Sequence, residues 1–196
     1  INEGEAGFSV SGGSIRYALT AIKGVGRPVI DQVTAEREAR GPFLSIQDFV
    51  TRMADSEVNK RTVENFIKSG TFDGLGGTRK QFMSVFVQMM DAQQHNKKNN
   101  LAGQMSLFDL VDEEDKGEFE IRLPDVGEYS KELLLGFEKE VLGIYVSGHP
   151  LEEYEQTWRK HITRTTADFL LDEETGEMNV RDQDRVTMGG MISDKK

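Results

Sequence analysis

Two short glycine-rich stretches set the turns in roughly the first ninety residues, and they constrain the fold more than any other feature of the sequence. The first reads AIKGVG at residues 21–26, and the second reads SGTFDGLGG at residues 69–77. Glycine adopts positive φ at little cost, so closely spaced glycines predict tight turns rather than continuing helix or strand. The chain on either side must therefore fold back on itself over short distances.

Apolar residues recur at intervals of three and four around these turns, which predicts amphipathic helices. We expect five helices, with inward residues Ile15, Ala18, Leu19 and Ile22; Val29, Ile30 and Val33; Ile46, Phe49, Val50 and Met53; Val63, Phe66 and Ile67; and Phe82, Val85, Phe86, Met89 and Met90. Pro28 suits a first helical turn, Gly70 suits a C-terminal stop, and the predicted N-caps are Ser45, Asn59 and Thr78. Residues 1–92 are thus predicted to form one helical domain.

The helical periodicity stops near Gln93 and returns at Ser130. Residues 93–128 are rich in Asn at one end and in acids at the other, which is typical of a flexible linker. A helical connector is expected at 129–183, with Leu133, Leu134, Phe137, Val141 and Leu142 inward on its first helix and Leu151, Tyr154 and Trp158 on its second, after Pro150. The segment RVTMGGMIS, from residue 185, favours a strand at 184–196. The predicted fold class is mainly α.

Composition and charge narrow the possible functions. The 196 residues include no cysteine, which excludes disulfides and thiolate metal sites, and no apolar run is long enough to span a membrane. The net charge is −10, but residues 1–100 hold 13 Lys and Arg against 11 Asp and Glu, whereas residues 101–196 hold 11 against 23. Only the first half could approach phosphate groups. Without signal-peptide features or an initiator Met, we expect a cytoplasmic piece of a longer protein.

The first turn has the composition of an anion-binding hairpin. Gly24 and Gly26 flank Val25, which could plug the gap between two helices, and Lys23 precedes them. The amides of such a turn, with the N-terminus of the following helix, suit a phosphate oxygen. A tight helix–helix turn that touches nothing is the simpler alternative. A dinucleotide loop is disfavoured because no strand precedes the turn and no third glycine follows at the required spacing.

Basic residues also stand at the unfavourable end of two predicted helices. Lys60 and Arg61 follow the Asn59 cap, and Arg79 and Lys80 follow the Thr78 cap. Cations at a helix N-terminus oppose the helix dipole by roughly 0.3–1 kcal/mol each. A bound anion would remove this conflict, although ordinary surface charge explains the same pattern.

No set of residues with catalytic spacing is found. His95, His149 and His161 are far apart, and His149 before Pro150 suits a structural role. The carboxylates of residues 112–120 form a charge run in the predicted linker, where metal-dependent chemistry would lack a rigid scaffold. We therefore expect no catalytic residues and no cofactor in this chain.

Four blocks of sequence are similar to the C-terminal region of bacterial DNA polymerase III alpha subunits. They read IRYALTAIKGVG, GPFLSIQDFV, VNKRTVENFIKSGTFDGLG and KEVLGIYVSGHPLEEY, in the order found in that family. The resemblance implies a tandem helix-hairpin-helix domain that holds double-stranded DNA by its phosphate backbone. The residues it assigns to DNA are Lys23, Gly24, Val25, Gly26, Asn59, Lys60, Arg61, Arg79 and Lys80.

The resemblance also implies a binding motif for the sliding clamp within the linker. The family motif resembles Gln-x-x-Leu-Phe, and here Gln104, Met105, Ser106, Leu107 and Phe108 match it. It further implies other replisome subunits as partners, the start of a truncated OB-fold at the final strand, and magnesium bound by polymerase residues upstream of this chain. The parent protein would then be a DNA-directed DNA polymerase.

Three other interpretations remain at this point. The chain could be a stand-alone helix-hairpin-helix adaptor or repair factor that binds the clamp, or a purely structural spacer that binds neither DNA nor clamp. In addition, Leu107 and Phe108 could pack back onto the helical domain instead of entering a partner.

Overall fold

The computed structural model describes residues 1–101, 121–171, 176 and 178–192, and it is mainly helical. The chain divides into two compact units, residues 1–146 and residues 147–196. Within the described part of the chain, no helix is both long enough and apolar enough to cross a membrane. The predicted mainly α class is therefore confirmed at this level.

Five α-helices build the first unit. They are α1 at Arg27–Arg40, α2 at Ile46–Arg52, α3 at Lys60–Lys68, α4 at Arg79–Leu101 and α5 at Lys131–Leu142. The side chains of Ser45, Asn59 and Ser130 each accept a hydrogen bond from the third residue of the helix that follows. The hydroxyl of Thr78 accepts a hydrogen bond from the backbone N–H of Gln81. These N-caps start the helices where the sequence predicts.

Five phenylalanines form the centre of the first unit and hold α2, α3 and α4 together. Phe43, Phe49, Phe66, Phe72 and Phe82 are almost completely buried. Their rings meet edge to face, with centroids 5.0–6.4 Å apart. Such pairs are worth about 0.5–1.5 kcal/mol beyond their buried area. Both glycine-rich turns are attached to this packed core, the first through Val25 and the second through Phe72.

The predicted first helix is wrong, although three of its four predicted inward residues, Ala18, Leu19 and Ile22, are buried. Strand β1 at Ser9–Ser11 instead pairs antiparallel with β2 at Ser14–Arg16. Gly12 and Gly13 have φ of 59° and 81°, which is the two-residue turn that matches strand twist. Ile15 then faces outward, 79% exposed, and only a 3-10 turn at Leu19–Ala21 precedes the first glycine-rich turn.

The helix predicted to end at residue 92 continues to Leu101, the end of α4. Residues 121–128 return to the first unit as an extended strap. The backbone N–H of Ile121 donates to Gln47 Oε1 at 2.8 Å, and Gln81 Nε2 donates to the carbonyl of Pro124 at 2.9 Å. The strap therefore lies against α2 and α4, and it places Glu128 beside the start of α4.

Helix α5 begins after Ser130 as expected, and the predicted inward face is confirmed only in part. Val141 is buried and Leu142 packs against the core as predicted, but Leu135 and Glu138 are buried instead of Leu133, which is 43% exposed. The apolar pattern missed this shift because a buried carboxylate, Glu138, takes one of the inward positions. Arg79, the first residue of α4, forms an ion pair with Glu138 and makes the burial of this carboxylate possible.

The second unit contains a 3-10 turn at Glu152–Tyr154, helix α6 at Glu155–His161 and a 3-10 turn at Thr166–Phe169. Residues 185–192 form no strand, contrary to prediction. The N–H of Thr163 donates to the carbonyl of Thr187, and the N–H of Thr187 donates to the hydroxyl of Thr163. A single contact of this kind is not a strand ladder, so the described residues do not display the start of an OB-fold.

Candidate nucleic-acid interface

The first glycine-rich turn is a tight hairpin anchored by one apolar residue. Gly24 has a φ of 74°, a region that disfavours side chains. Val25 is 7% exposed and belongs to the core, and its N–H donates to the carbonyl of Ile22 at 3.1 Å. Val25 therefore packs inward, as predicted, while Gly24 and Gly26 on either side of it are exposed.

Several backbone donors of the hairpin have no acceptor within the described part of the chain. The N–H groups of Gly24, Gly26 and Arg27 find no hydrogen-bond partner among the residues that the structure describes. Gly26 is the N-cap of α1, and Pro28, which follows Arg27, has no N–H to satisfy. All three donors belong to exposed residues at the N-terminus of a fourteen-residue helix. Together with the helix dipole, these donors form a surface suited to an anion.

Two cations stand beside these amides, and no described carboxylate pairs with either of them. Lys23 and Arg61 are exposed, and neither forms an ion pair with any described residue. A methyl group placed on Gly24 would lie 3.8 Å from Arg61 Nε, so α3 brings Arg61 to the first turn. Arg27, which sequence reasoning missed, adds a third cation whose only ion pair to a described residue is a loose one to Asp31 at 3.8 Å. Its position at the first residue of α1 is the signal that could have identified it.

The conformation of this turn is fixed from outside the hairpin. The N–H of Lys23 donates to the carbonyl of Val141, in α5, at 2.8 Å. The carbonyl of Lys23 accepts from Asn65 Nδ2, in α3, at 2.7 Å. Both backbone groups of the residue that begins the turn are therefore held by other helices.

Polar contacts also engage two of the predicted DNA-binding residues at the start of α3, Asn59 and Lys60. Asn59 Oδ1 accepts from the N–H of Thr62 at 3.1 Å, so Asn59 is engaged as an N-cap. Lys60 lies 2.5 Å from Asp91 in α4. Of the two basic residues predicted here, Arg61 alone keeps a charge that no described carboxylate neutralises.

The second glycine-rich turn differs from the first because its cation is turned inward. Arg79 is 5% exposed and forms ion pairs with Asp73 at 2.8 Å and with the fully buried Glu138 at 3.1 Å. Burial opposes the charge on Arg79, but hydrogen bonds to these two carboxylates outweigh it and raise the pKa of Arg79. The guanidinium is therefore not presented to an external phosphate.

A carboxylate of the chain itself occupies the N-terminus of α4. Glu128 accepts hydrogen bonds from the backbone N–H groups of Arg79, at 2.8 Å, and Lys80, at 3.1 Å. The side chain of Lys80 lies 6.0 Å from the ring of Tyr129. The anion expected at this helix end is present, but it is the protein's own. The structure thus does not bring Arg79 and Lys80 together with the first turn as an open site.

The predicted clamp-binding residues Gln104, Met105, Ser106, Leu107 and Phe108 lie outside the described residues. Within the described residues, no three His, Asp or Glu side chains are grouped so that they could hold a metal ion.

The first glycine-rich turn and helix α1 lie in a part of the chain that is similar to a known motif. Residues 1–82 match the family described as a helix-hairpin-helix motif. The chain is also 39% identical over 156 residues to the DNA polymerase III subunit alpha of Borreliella burgdorferi, which covers 80% of this chain and 14% of that protein.

Two further relatives have the same name. The DNA polymerase III subunit alpha of Mycobacterium leprae is 36% identical over 77% of this chain, and that of Chlamydia pneumoniae is 36% identical over 84% of it. The chain spans 13% of the length of each. These findings confirm the resemblance in the sequence: the chain is similar to one segment of DNA polymerase III alpha subunits.

Proposed function

We propose that this chain is the noncatalytic part of a bacterial replicative DNA polymerase that holds duplex DNA without reading its sequence. The observation that carries the proposal is the set of exposed amides at Gly24, Gly26 and Arg27, which have no acceptor among the described residues. Beside them stand Lys23 and Arg61, whose charges no described carboxylate pairs. Amides and cations of this kind recognise phosphate oxygens, which are identical at every base pair. Catalysis and its magnesium are assigned to other parts of the polymerase.

Salt dependence tests this proposal directly. Three cations, Lys23, Arg27 and Arg61, would neutralise about three phosphates, so the logarithm of affinity should fall against the logarithm of salt with a slope of about −2.7. Between about 50 and 200 mM salt the affinity for a fluorescent duplex should then drop about 40-fold, whatever its sequence. An affinity that stays flat over this range would refute the phosphate contact.

A pair of glycine variants tests the amide surface separately from the charges. Gly24→Val should abolish most duplex binding, because valine strains the positive φ and crowds the turn. Gly41 has a φ of 81°, and a methyl group added there would have no neighbour within 4 Å, so Gly41→Val imposes comparable strain at the far end of α1. We expect Gly41→Val to bind duplex like wild type and Lys23→Ala to lose less affinity than Gly24→Val. Equal binding by both glycine variants would refute the amide surface.

We further propose that Gln104, Leu107 and Phe108 bind the sliding clamp. Burying two large apolar side chains offers about 3–6 kcal/mol in total, less the cost of ordering the peptide, so we expect a modest affinity, with a Kd no tighter than tens of micromolar. DNA bound elsewhere on the same polypeptide would strengthen this contact by tethering.

The clamp contact is tested with purified clamp and two variants. We expect loss of clamp binding in the triple variant, which combines Gln104→Ala, Leu107→Ala and Phe108→Ala. The neighbouring double variant, which combines Leu110→Ala and Val111→Ala, should retain binding. Equal binding by the triple variant and wild type would refute this assignment without affecting the DNA proposal.

A further inference from the structure

Asn65 is a polar residue buried among apolar residues, where an amide side chain is stable only with a hydrogen-bond partner. It lies on α3 and is 7% exposed, among the apolar residues Val63, Phe66 and Ile67. Its Nδ2 donates to the carbonyl of Lys23 at 2.7 Å, across forty-two residues of sequence. The bond therefore links α3 to the first glycine-rich turn.

The hydrogen bond contacts the turn at the residue directly before Gly24, where a small shift would move the backbone amides that follow. Lys23 immediately precedes Gly24, and a methyl group on Gly24 would lie 3.4 Å from Asn65 Nδ2. Arg61 lies four residues before Asn65, on the same face of α3. One helix face thus supplies a cation to the turn and holds the turn's backbone.

The second attachment of Lys23 makes the geometry rigid. Its N–H is fixed by the carbonyl of Val141 and its carbonyl is fixed by Asn65. With both ends of this residue anchored, the rotation of the peptide plane between Lys23 and Gly24 is held. Because this peptide bond is trans, the N–H of Gly24 points opposite to the Lys23 carbonyl that Asn65 binds. Apolar packing beneath Val25 sets the depth of the turn but cannot set this rotation.

We infer that Asn65 is a positioning residue for DNA binding: it orients the amides of the first turn without touching DNA. The inference rests on the proposed function, since those amides are its proposed phosphate donors. It makes α3 a structural part of the first DNA-binding hairpin, although α3 lies between the two glycine-rich turns in sequence.

The test compares two isosteric replacements on the same helix. Asn65→Leu removes the hydrogen bond to Lys23 and keeps the bulk, with Asn65→Ser as a second variant should leucine prevent folding. Thr62→Val is the matched control, because Thr62 is 2% exposed on α3 and its hydroxyl reaches the Asn59 cap, at 3.4 Å, rather than the turn. Each variant is measured for thermal stability, for duplex affinity at several salt concentrations, and for hydrogen exchange of the Lys23 amide.

We expect both variants to lose a few degrees of thermal stability. Asn65→Leu should also bind duplex about fivefold more weakly, in line with the loss of one hydrogen bond, while Thr62→Val stays within about twofold of wild type. The Lys23 amide should exchange faster in Asn65→Leu by more than the loss of global stability explains, and it should not do so in Thr62→Val.

The outcomes separate the inference from the proposed function. Wild-type protein that shows no salt-dependent duplex binding refutes the proposed function. Wild-type binding combined with equal affinities for Asn65→Leu and Thr62→Val refutes only the positioning role. Unchanged protection of the Lys23 amide in Asn65→Leu refutes the positioning role even in the absence of DNA.

Discussion

The pair formed by Arg79 and Glu138 is expected to be strongly coupled, and a double-mutant cycle measures that coupling. Glu138 is completely buried on α5 and accepts hydrogen bonds from Arg79 at 3.1 and 3.2 Å and from the N–H of Val146 at 2.7 Å. Replacing Glu138 with Leu leaves a buried guanidinium whose remaining carboxylate, Asp73, is half exposed.

The expected loss in the free energy of unfolding follows from leaving one buried charge without its main partner. Breaking such a pair costs about 3–5 kcal/mol, and we expect the lower end for Glu138→Leu because Asp73 remains. Arg79→Met strands the Glu138 carboxylate and should cost about as much. In the double variant neither charge is left alone, so we expect a loss of about 3 kcal/mol instead of about 6, and hence a coupling of about 3 kcal/mol.

Urea unfolding followed by far-ultraviolet circular dichroism measures these differences in the helical first unit. Trp158, the only tryptophan, belongs to the second unit, and its fluorescence serves as an internal control that should move little. A coupling below about 0.5 kcal/mol would show that the two charges do not depend on each other, and it would refute the reasoning.

Three further outcomes are expected. Gly70→Ala should destabilise the first unit in thermal unfolding by at least as much as Glu138→Leu, because its methyl group would overlap the Arg79 guanidinium and its φ is 77°; a melting temperature equal to that of wild type would contradict this. Glu128→Gln should lower the melting temperature by a few degrees, since the N-terminus of α4 loses a charged acceptor; an unchanged melting temperature would contradict the contact. The pKa of Glu36 is lowered by hydrogen bonds from two arginines, so its stabilisation is complete above the ordinary glutamate pKa of about 4.3 and is lost as the pH falls through the lowered value. Glu36→Gln should therefore be less stable than wild type at neutral pH, and the difference should vanish in acid; a difference that persists at about pH 2 would refute the assignment.

Local signals allowed much of the helical part to be predicted from the sequence. Side-chain caps at Ser45, Asn59 and Ser130 act within three residues, so each start could be identified from its own neighbourhood. Gly70, with its φ of 77°, ends α3 as expected for the same reason. The predicted first helix failed because about eight residues of periodicity are too few to separate helix from strand. The adjacent Gly12–Gly13 pair was the stronger signal.

The candidate site could be predicted only in part, because long-range contacts decide which cations are free. Lys60, Arg61 and Arg79 look alike in the sequence, yet Asp91 pairs with the first and Glu138 buries the third. The partners lie on α4 and α5, and no local pattern reveals them. The buried face of α5 was predicted only in part for the same reason, since Val141 is buried as expected but Glu138 was not expected to be.

The carboxylate at the start of α4 makes the two hairpins unequal. Glu128 sits where an external anion would have to bind, so the second hairpin serves as a joint between the chain and its own strap. Of the two, the first hairpin is then the one whose amides have no acceptor among the described residues. Under the function proposed above, a duplex would be held at one of the two turns instead of at both, which would leave it free to rotate about that single contact.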